Sequence, residues 1–231
     1  MHELPEPNSL ATAGIWLYVA ELTHRVTNEY ASAASALRIA ATRASTDEAR
    51  SAILEATRRL GAFAAAHALL RPPIVAGQVD FAEHLLKLSR AVAAARFQDR
   101  PVNLSISETR PIMLDTARCW KAGLVVSELI TNAARHAFTV DGDAGEIEVN
   151  IAAPYREVMI EVRDTGTWAA NCVPGLGSEL IRSLAADLDG KVDRRSCLVG
   201  TSVVFTFPME PNLRHNTRCV DGIRAVSVSA S

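Results

Sequence analysis

The 231-residue sequence lacks the features that mark membrane-spanning, secreted and nucleic-acid-binding proteins. No apolar run approaches the roughly 18 residues that a membrane-spanning helix requires. Residues 1–8 are acidic and contain two prolines, the opposite of a secretory signal peptide. The net charge of −2 gives no basic excess of the kind that indicates a nucleic-acid partner. We therefore expect a cytoplasmic protein that neither inserts into a membrane nor binds nucleic acid.

Cysteine and the common glycine motifs are also scarce. The four cysteines form no Cys-x-x-Cys pair and show no metal-ligand spacing, so we expect free thiols in a reducing compartment. Gly175-Leu176-Gly177 is followed by neither Gly-Lys-Ser/Thr nor a third glycine at the required spacing. These absences exclude a disulfide framework, a Walker loop and a Rossmann fingerprint.

The N-terminal part is rich in alanine and predicts a long helix over residues 9–43, capped by Asn8 or Ser9. At about 100° per residue, its apolar side chains fall within a stripe about 80° wide. The stripe contains Ile15, Val19, Leu22, Val26, Tyr30, Ala33, Leu37 and Ala40. His24 lies nearly opposite the centre of the stripe, and Asn28 lies one turn further along the same outer face. From the helix alone, His24 is either an ordinary surface histidine or an imidazole exposed for phosphorylation.

A second amphipathic helix follows the first after a short turn. Ser45 and Glu48 match a capping box, and Pro72-Pro73 end the helix at about Leu70. We therefore assign residues 1–75 to an αα-hairpin. One hairpin leaves its apolar stripe half covered, and a second copy would complete a four-helix bundle, so we expect a homodimer. The alternative is that the hairpin packs on the C-terminal domain of its own chain.

The remaining sequence mixes helical and strand patterns after a proline-containing linker at residues 71–79. Helices are predicted over 80–96, 115–138 and 175–188, and strands over 102–106, 146–151, 158–162, 191–196 and 201–207. This order predicts an α+β fold in which helices cover one face of a mixed sheet, a two-layer α/β sandwich. We assign residues 76–210 to this domain and residues 211–231 to a flexible tail.

The predicted helix at 115–138 carries a row of polar side chains. Glu128, Asn132, Arg135 and His136 lie at i, i+4, i+7 and i+8 and therefore share one face. A solvated face could show this pattern by chance, but asparagine is a poor residue for a helix interior. An amide oxygen is a suitable ligand for Mg²⁺, and neighbouring cations suit a triphosphate.

Three further segments are weak indications when taken singly. They are Asp164-Thr165-Gly166 at the end of a strand, Gly175-Leu176-Gly177 at the start of a helix, and Gly200-Thr201 at the start of the last strand. A glycine lets the backbone approach a ligand closely. Glycines at a helix N-terminus expose amide groups that bind phosphate.

Together, the order and spacing of these segments over about residues 18–208 resemble those of sensor histidine kinases. The chain is most similar to the branch with a His-Arg-Val-x-Asn motif on its phosphoacceptor helix, here His24, Arg25, Val26 and Asn28. The resemblance implies a homodimeric phosphotransfer hairpin and an ATP-binding domain of the GHKL type, shared with gyrases and MutL-like repair proteins. It also implies ATP-dependent phosphorylation of His24 and transfer to an aspartate in the receiver domain of a response regulator.

The same resemblance implies a role for each polar segment. Asn132 matches the asparagine that holds Mg²⁺, and Glu128 is either a base toward His24 or part of the metal shell. Asp164 matches the aspartate that binds the adenine amino group. The other ATP-binding positions implied are Arg135, His136, Gly166, Gly175, Leu176, Gly177, Gly200 and Thr201.

The chain departs from the family pattern at Trp168, which replaces the usual second glycine of the Asp-x-Gly-x-Gly box. The tryptophan could stack on the nucleotide or fill the pocket. This leaves an alternative function, a histidine phosphotransferase whose catalytic-like domain no longer binds ATP. A third class, a serine kinase that binds a sigma-factor antagonist, shares the nucleotide fold but has no need for the hairpin.

Overall fold

The computed structural model describes residues 7–97, 102–107, 110–138, 144–166, 176–197 and 200–211. Its helices are α1 (Pro7–Thr42), α2 (Asp47–Leu69), α3 (Phe81–Arg96), α4 (Thr116–His136) and α5 (Leu176–Asp187). Its strands are β1 (Gln78–Asp80), β2 (Val102–Ile106), β3 (Met113–Asp115), β4 (Gly145–Ala152), β5 (Glu157–Asp164), β6 (Lys191–Cys197) and β7 (Gly200–Pro208). None of the helices in these described ranges has both the length and the apolar character needed to cross a membrane.

Helices α1 and α2 form the predicted hairpin, but their caps differ from the prediction. The hydroxyl oxygen of Thr46 caps α2 by accepting a hydrogen bond from the Ala49 amide at 3.2 Å, so the predicted Ser45–Glu48 capping box is wrong by one residue. Helix α1 begins at Pro7, which places the expected caps Asn8 and Ser9 inside the helix. Helix α2 ends ahead of the two prolines, which cannot continue it.

The apolar stripe of α1 is divided between two environments. Tyr30 and Leu37 are half-buried, whereas Leu22 and Val26 are 43% and 38% exposed. Among the α1 side chains that the structure describes from residue 18 onward, the most buried apolar ones are Ala34 and Ala41, at the edge of the predicted stripe. Part of the stripe therefore remains uncovered within one copy of the chain.

The C-terminal part is the expected α+β sandwich. Five strands form a mixed sheet in the order β2-β4-β5-β7-β6, in which β2 is parallel to β4 and the other neighbours are antiparallel. Alternate residues of the central strands are buried beneath the helices, including Ile147, Val149, Val158 and Ile160. The two short strands β1 and β3 form a second, antiparallel sheet, which was not predicted from the sequence.

Two aspartates set the starts of the helices that follow those short strands. Asp80 caps α3 by accepting from the Ala82 amide at 3.0 Å, and it also accepts from the Ile112 amide at 3.2 Å. Asp115 caps α4 by accepting from the Arg118 amide at 2.9 Å, as predicted. Pairing of β1 with β3 thus fixes the starting points of α3 and α4 side by side.

The buried side chain of Arg118 joins the first turn of α4 to the sheet. Its Nη2 donates to the carbonyl oxygens of Leu188 and Pro208, and its guanidinium lies 5.8 Å from the ring centroid of Phe207. Burial lowers the pKa of Arg118 from its usual value, and the carboxylates of Asp115 and Asp189 oppose that shift. This arginine therefore links α4, the end of α5 and the end of β7.

The end of α2 is packed onto this sandwich. The indole N–H of Trp120 in α4 donates to the Leu70 carbonyl at 2.8 Å, and the Arg96 guanidinium of α3 lies 5.2 Å from the Phe63 ring centroid. The side chain of Ala66 belongs to the same buried core as the sheet. Within the predicted linker, the Val75 and Gly77 carbonyls accept hydrogen bonds from Thr116. The linker therefore has a defined path along α4.

Candidate functional site

A buried carboxylate at the end of β5 is the centre of the first cluster. Asp164 is 2% exposed, and its Oδ1 accepts hydrogen bonds from the amides of Gly166 at 3.1 Å and Thr201 at 3.3 Å. Asp164 also faces Thr201 in the register of β5 and β7. One carboxylate therefore holds both the turn after β5 and the beginning of β7.

The glycines of this cluster occupy places with no room for a side chain. A Cβ on Gly166 would lie 2.1 Å from the carbonyl oxygen of Ala137, at the end of α4. Gly200 has φ of +139°, and a Cβ there would lie 1.9 Å from the Asp164 carbonyl oxygen. The backbones of β5, β7 and the end of α4 consequently meet at this point.

Thr165 is a member of this cluster that the sequence analysis did not single out. Its Oγ1 accepts from the Glu146 amide at 3.0 Å, and its own amide donates to the Glu146 carbonyl at 3.1 Å. These bonds hold the segment after Asp164 against β4. The neighbouring Asp-x-Gly sequence was the available indication, since threonine often stabilises turns through its hydroxyl.

The polar row of α4 lies beside the start of α5. Glu128 and Asn132 are half-buried and Arg135 is exposed. A Cβ on Gly177 would lie 2.1 Å from Glu128 Oε1, so the carboxylate lies directly against the backbone of the first turn of α5. Leu176 is 85% exposed at the same turn. Gly175, Trp168 and the side chain of His136 lie outside the described residues.

The donors along this row suit a small, hard cation. A carboxylate from Glu128 and an amide from Asn132, one helical turn apart, offer oxygen atoms of the kind that Mg²⁺ binds, and Mg²⁺ usually keeps several waters. The described ranges contain no group of three or more His, Cys, Asp or Glu side chains that could hold a metal by themselves. This donor set therefore fits Mg²⁺ that is shared with a phosphate ligand. The positive end of the α5 dipole suits the phosphate.

His24 forms a separate polar cluster on α1. Its ring is exposed, and the Asn28 amide nitrogen lies 3.4 Å from both ring nitrogens. Arg25 Nε donates to Glu21 Oε1 at 2.8 Å. This hydrogen bond and the arginine charge, with a smaller contribution from His24, hold the pKa of Glu21 below its usual value. The imidazole is therefore presented to solvent, where a ring nitrogen is accessible as a nucleophile.

The predicted site residues thus fall into three groups. Asp164, Gly166, Gly200 and Thr201 are brought together, and Glu128 meets Gly177. Over the part of the chain that the structure describes, no hydrogen bond or ion pair joins His24 to either group.

Family models match both parts of the chain. A model described as histidine kinase matches residues 21–95, and one described as histidine kinase-like ATPase domain matches residues 92–207. The sensor histidine kinase PdtaS of Mycobacterium tuberculosis is 29% identical over 198 residues, which cover 83% of this chain and 39% of PdtaS. PdtaS of Mycolicibacterium smegmatis is 28% identical over 200 residues, with the same coverage of 83% and 39%. The chain therefore spans about two fifths of the length of these relatives.

Solved structures show the same fold. The histidine kinase domain of a blue-light activated histidine kinase from Erythrobacter litoralis superposes with a TM-score of 0.52 and 22% identity, covering 85% of this chain and 93% of that domain. A longer structure of that kinase gives a TM-score of 0.51 and 24% identity, covering 83% of this chain and 59% of the other. The likeness extends over both the hairpin and the sandwich.

Proposed function

The chain belongs to the histidine kinase family, and on that premise we propose that it is an ATP-dependent protein-histidine kinase that phosphorylates itself on His24. The phosphoryl group then passes to an aspartate in the receiver domain of a response regulator. The observation that carries ATP binding is the cluster of Asp164, Gly166, Gly200 and Thr201, in which backbone packing excludes side chains and a buried carboxylate is fixed by two amides.

Each ATP-binding position has a proposed task. Asp164 accepts a hydrogen bond from the adenine amino group, and the amides at Gly175, Leu176 and Gly177 bind phosphate oxygens. Asn132 holds Mg²⁺, which neutralises charge on the phosphates when it is bound. Arg135 and His136 add positive charge near the triphosphate.

Two tasks are open to Glu128. Its contact with Gly177 at the start of α5 favours membership of the metal shell. A role as base toward the imidazole would require His24 to be brought to the same place. Asn28 positions His24 through its contact with the ring, whereas Arg25 is paired with Glu21 and adds a charge next to His24 in the sequence.

We assign dimerisation and phosphotransfer to residues 1–75 and ATP binding to residues 76–210. Exposed apolar side chains on α1 support a homodimer, because Leu22 and Val26 are 43% and 38% exposed and Ile39 is 55% exposed. Light scattering on the full chain should give a dimer. Leu22→Glu combined with Val26→Glu should give a monomer, whereas the control Arg38→Glu should remain dimeric. A monomeric wild-type chain at high concentration would refute this assignment.

Radiolabelled γ-ATP with Mg²⁺ tests the kinase function. The wild-type chain should take up label, His24→Gln should take up none, and Asp164→Asn should take up much less. Glu161→Gln is the matched control, because Glu161 lies on the same strand and points to the opposite face of the sheet. A wild-type chain that binds no nucleotide but accepts phosphate from a phosphorylated regulator would instead be a histidine phosphotransferase.

A further inference from the structure

The ring contacts between the two hairpin helices show which part of α2 lies level with His24. The Tyr30 ring centroid lies 6.0 Å from that of Phe63 and 5.5 Å from that of His67. His24 precedes Tyr30 by about six residues, or about 9 Å along a helix that rises 1.5 Å per residue. Since α2 runs antiparallel to α1, we count forward along α2 from Ala65, which lies midway between Phe63 and His67. Six residues beyond Ala65 is Arg71, which therefore lies at about the level of His24.

The periodicity of α2 directs Arg71 toward α1. One row of its buried or half-buried positions recurs at alternating spacings of four and three residues, at Ile53, Thr57, Leu60, Ala64 and His67. Because His67 contacts Tyr30, this row faces α1. Arg71 is the next member of the row. Arg71 lies two residues beyond the end of α2, and its amide donates to the Ala68 carbonyl at 3.3 Å, which closes the last turn.

The backbone on both sides of Arg71 is held in place. The carbonyl of Leu70 accepts the hydrogen bond from Trp120 at 2.8 Å, and Pro72 is buried. Arg71 therefore emerges from a fixed point where the hairpin meets α4. Little conformational entropy remains to be lost by its backbone when the side chain binds a ligand.

The Arg71 side chain has a hydrogen-bond donor without an acceptor. Its Nε is buried and has no hydrogen-bond partner, and no ion pair to Arg71 occurs within the described ranges. At this level the half-buried residues of α1 are Thr23 and Thr27, whose hydroxyls donate to carbonyls of their own helix at 2.8 Å. His24 directly follows Thr23 and lies about 100° further around α1, so an extended Arg71 side chain must pass beside Thr23 to reach the His24 ring. A buried Nε–H group without an acceptor is unfavourable, and an anion with several acceptor oxygens beside the half-buried arginine would satisfy it.

We propose that Arg71 binds the phosphoryl group carried by His24. The inference rests on the proposed phosphorylation of that histidine. In that step the bond between the γ-phosphorus and the β–γ bridging oxygen breaks, a phosphorus–nitrogen bond to the imidazole forms, and ADP leaves. The product places an anion with three acceptor oxygens beside α1, and a guanidinium pairs with such an anion through two parallel hydrogen bonds.

The test phosphorylates the full chain with phosphoramidate, which replaces ATP. The nitrogen–phosphorus bond of phosphoramidate breaks, a bond from phosphorus to the imidazole nitrogen forms, and ammonia leaves. Comparison with His24→Gln identifies the ³¹P resonance of phosphorylated His24. Titration of that resonance should show a pKa of the phosphoryl group that is higher by about one in Arg71→Gln, because a nearby cation favours the more highly charged form.

Two further variants separate charge from structure. Arg58→Gln removes an exposed arginine of α2 and should leave the titration unchanged. Arg71→Lys keeps the positive charge and should restore a titration close to that of the wild-type chain. An unchanged titration in folded Arg71→Gln would overturn the proposal. If Arg71→Gln does not fold, Arg71→Met removes the charge at similar length and takes its place, and an unchanged titration in the folded Arg71→Met variant would overturn the proposal too.

Because no ATP is present, this result is independent of the kinase assay. Failure of ATP labelling would leave the phosphoramidate titration valid, and an unchanged titration would leave ATP labelling unaffected. The two proposals can therefore fail separately.

Discussion

Replacing Asp164 by asparagine should weaken ATP binding while preserving the fold. The asparagine carbonyl oxygen can still accept from the amides of Gly166 and Thr201, which lie 3.1 and 3.3 Å from the carboxylate oxygen in the wild-type chain. The side-chain NH₂ group replaces the second oxygen and would face the adenine amino group, so that two donors oppose each other. The substitution thus removes one acceptor and one charge.

The expected size follows from the hydrogen bond that is lost. A hydrogen bond to a charged group contributes about 1.5–3 kcal/mol, and each 1.4 kcal/mol corresponds to a tenfold change in affinity. Asp164→Asn should therefore raise the Kd for Mg²⁺–ATP by about 10- to 150-fold. The free energy of unfolding should fall by only about 1 kcal/mol, because both amide hydrogen bonds can still form.

Isothermal titration calorimetry on the full chain measures this effect. Tripolyphosphate, which has no adenine, should bind wild type and Asp164→Asn equally. Glu161→Gln should bind ATP like the wild-type chain, since that side chain accepts from Ser202 Oγ at 2.6 Å on the other face of the sheet. Equal ATP affinity in Asp164→Asn and Glu161→Gln would refute the adenine contact. An equal loss of tripolyphosphate binding would refute it as well, because the effect would then concern the phosphates.

Three further predictions concern stability, each measured by urea unfolding. Gly200→Ala should lower the free energy of unfolding by about 2 kcal/mol or more, since φ is +139° and a Cβ would lie 1.9 Å from a carbonyl oxygen. Gly61 lies in α2, and a Cβ added there would have no atom within 4 Å, so Gly61→Ala should raise the free energy of unfolding by about 0.5–1 kcal/mol. A similar loss of stability in Gly200→Ala and Gly61→Ala would contradict this reasoning. Arg118→Ala should lower the free energy of unfolding by about 3 kcal/mol, because two buried carbonyls lose a charged donor, and a change below about 1 kcal/mol would be inconsistent with that role. Burial and then the charge of Arg96 lower the pKa of His67, and burial and then the charge of Lys87 lower the pKa of His84. The unfolded chain therefore binds more protons than the folded chain. The free energy of unfolding should therefore fall as the pH drops below about 6.5, and it should fall less steeply in the variant that combines His67→Gln with His84→Gln. Identical slopes against pH in the two chains would refute the contribution of these histidines.

Much of the fold follows from local sequence patterns. The apolar periodicities after Asp80 and Asp115 predict α3 and α4, and these two aspartates cap the helices. Alternating residues and the turn at 153–156 predict the hairpin of β4 and β5. These elements were accessible because their determinants lie within a few residues of one another.

The missed features depend on contacts between distant segments. Strands β1 and β3 have three residues each, too few for alternation to be visible, and they form because their partner is available. Thr46 caps α2 in place of Ser45, a choice between adjacent hydroxyl residues that depends on the turn geometry. The division of the α1 stripe likewise depends on where α2 packs.

The same distinction applies to the candidate site. The residue types of Glu128, Asn132 and Asp164 were evident from spacing and family resemblance, whereas the contact of Glu128 with Gly177 joins segments about fifty residues apart. The position of Arg71 level with His24 requires the register between α1 and α2, which Tyr30 reveals through its ring contacts. Trp168 and the expected tail beyond residue 211 lie outside the described residues.

Mapping the phosphoryl group after incubation with Mg²⁺–ATP tests the central claim most directly. The full chain is incubated, digested at neutral to alkaline pH and analysed by mass spectrometry with fragmentation that preserves phosphohistidine. A phosphoryl group is expected on His24 in the wild-type chain, absent from His24→Gln and greatly reduced in Asp164→Asn. A phosphoryl group on another residue, or on none while the chain binds ATP, would contradict the claim.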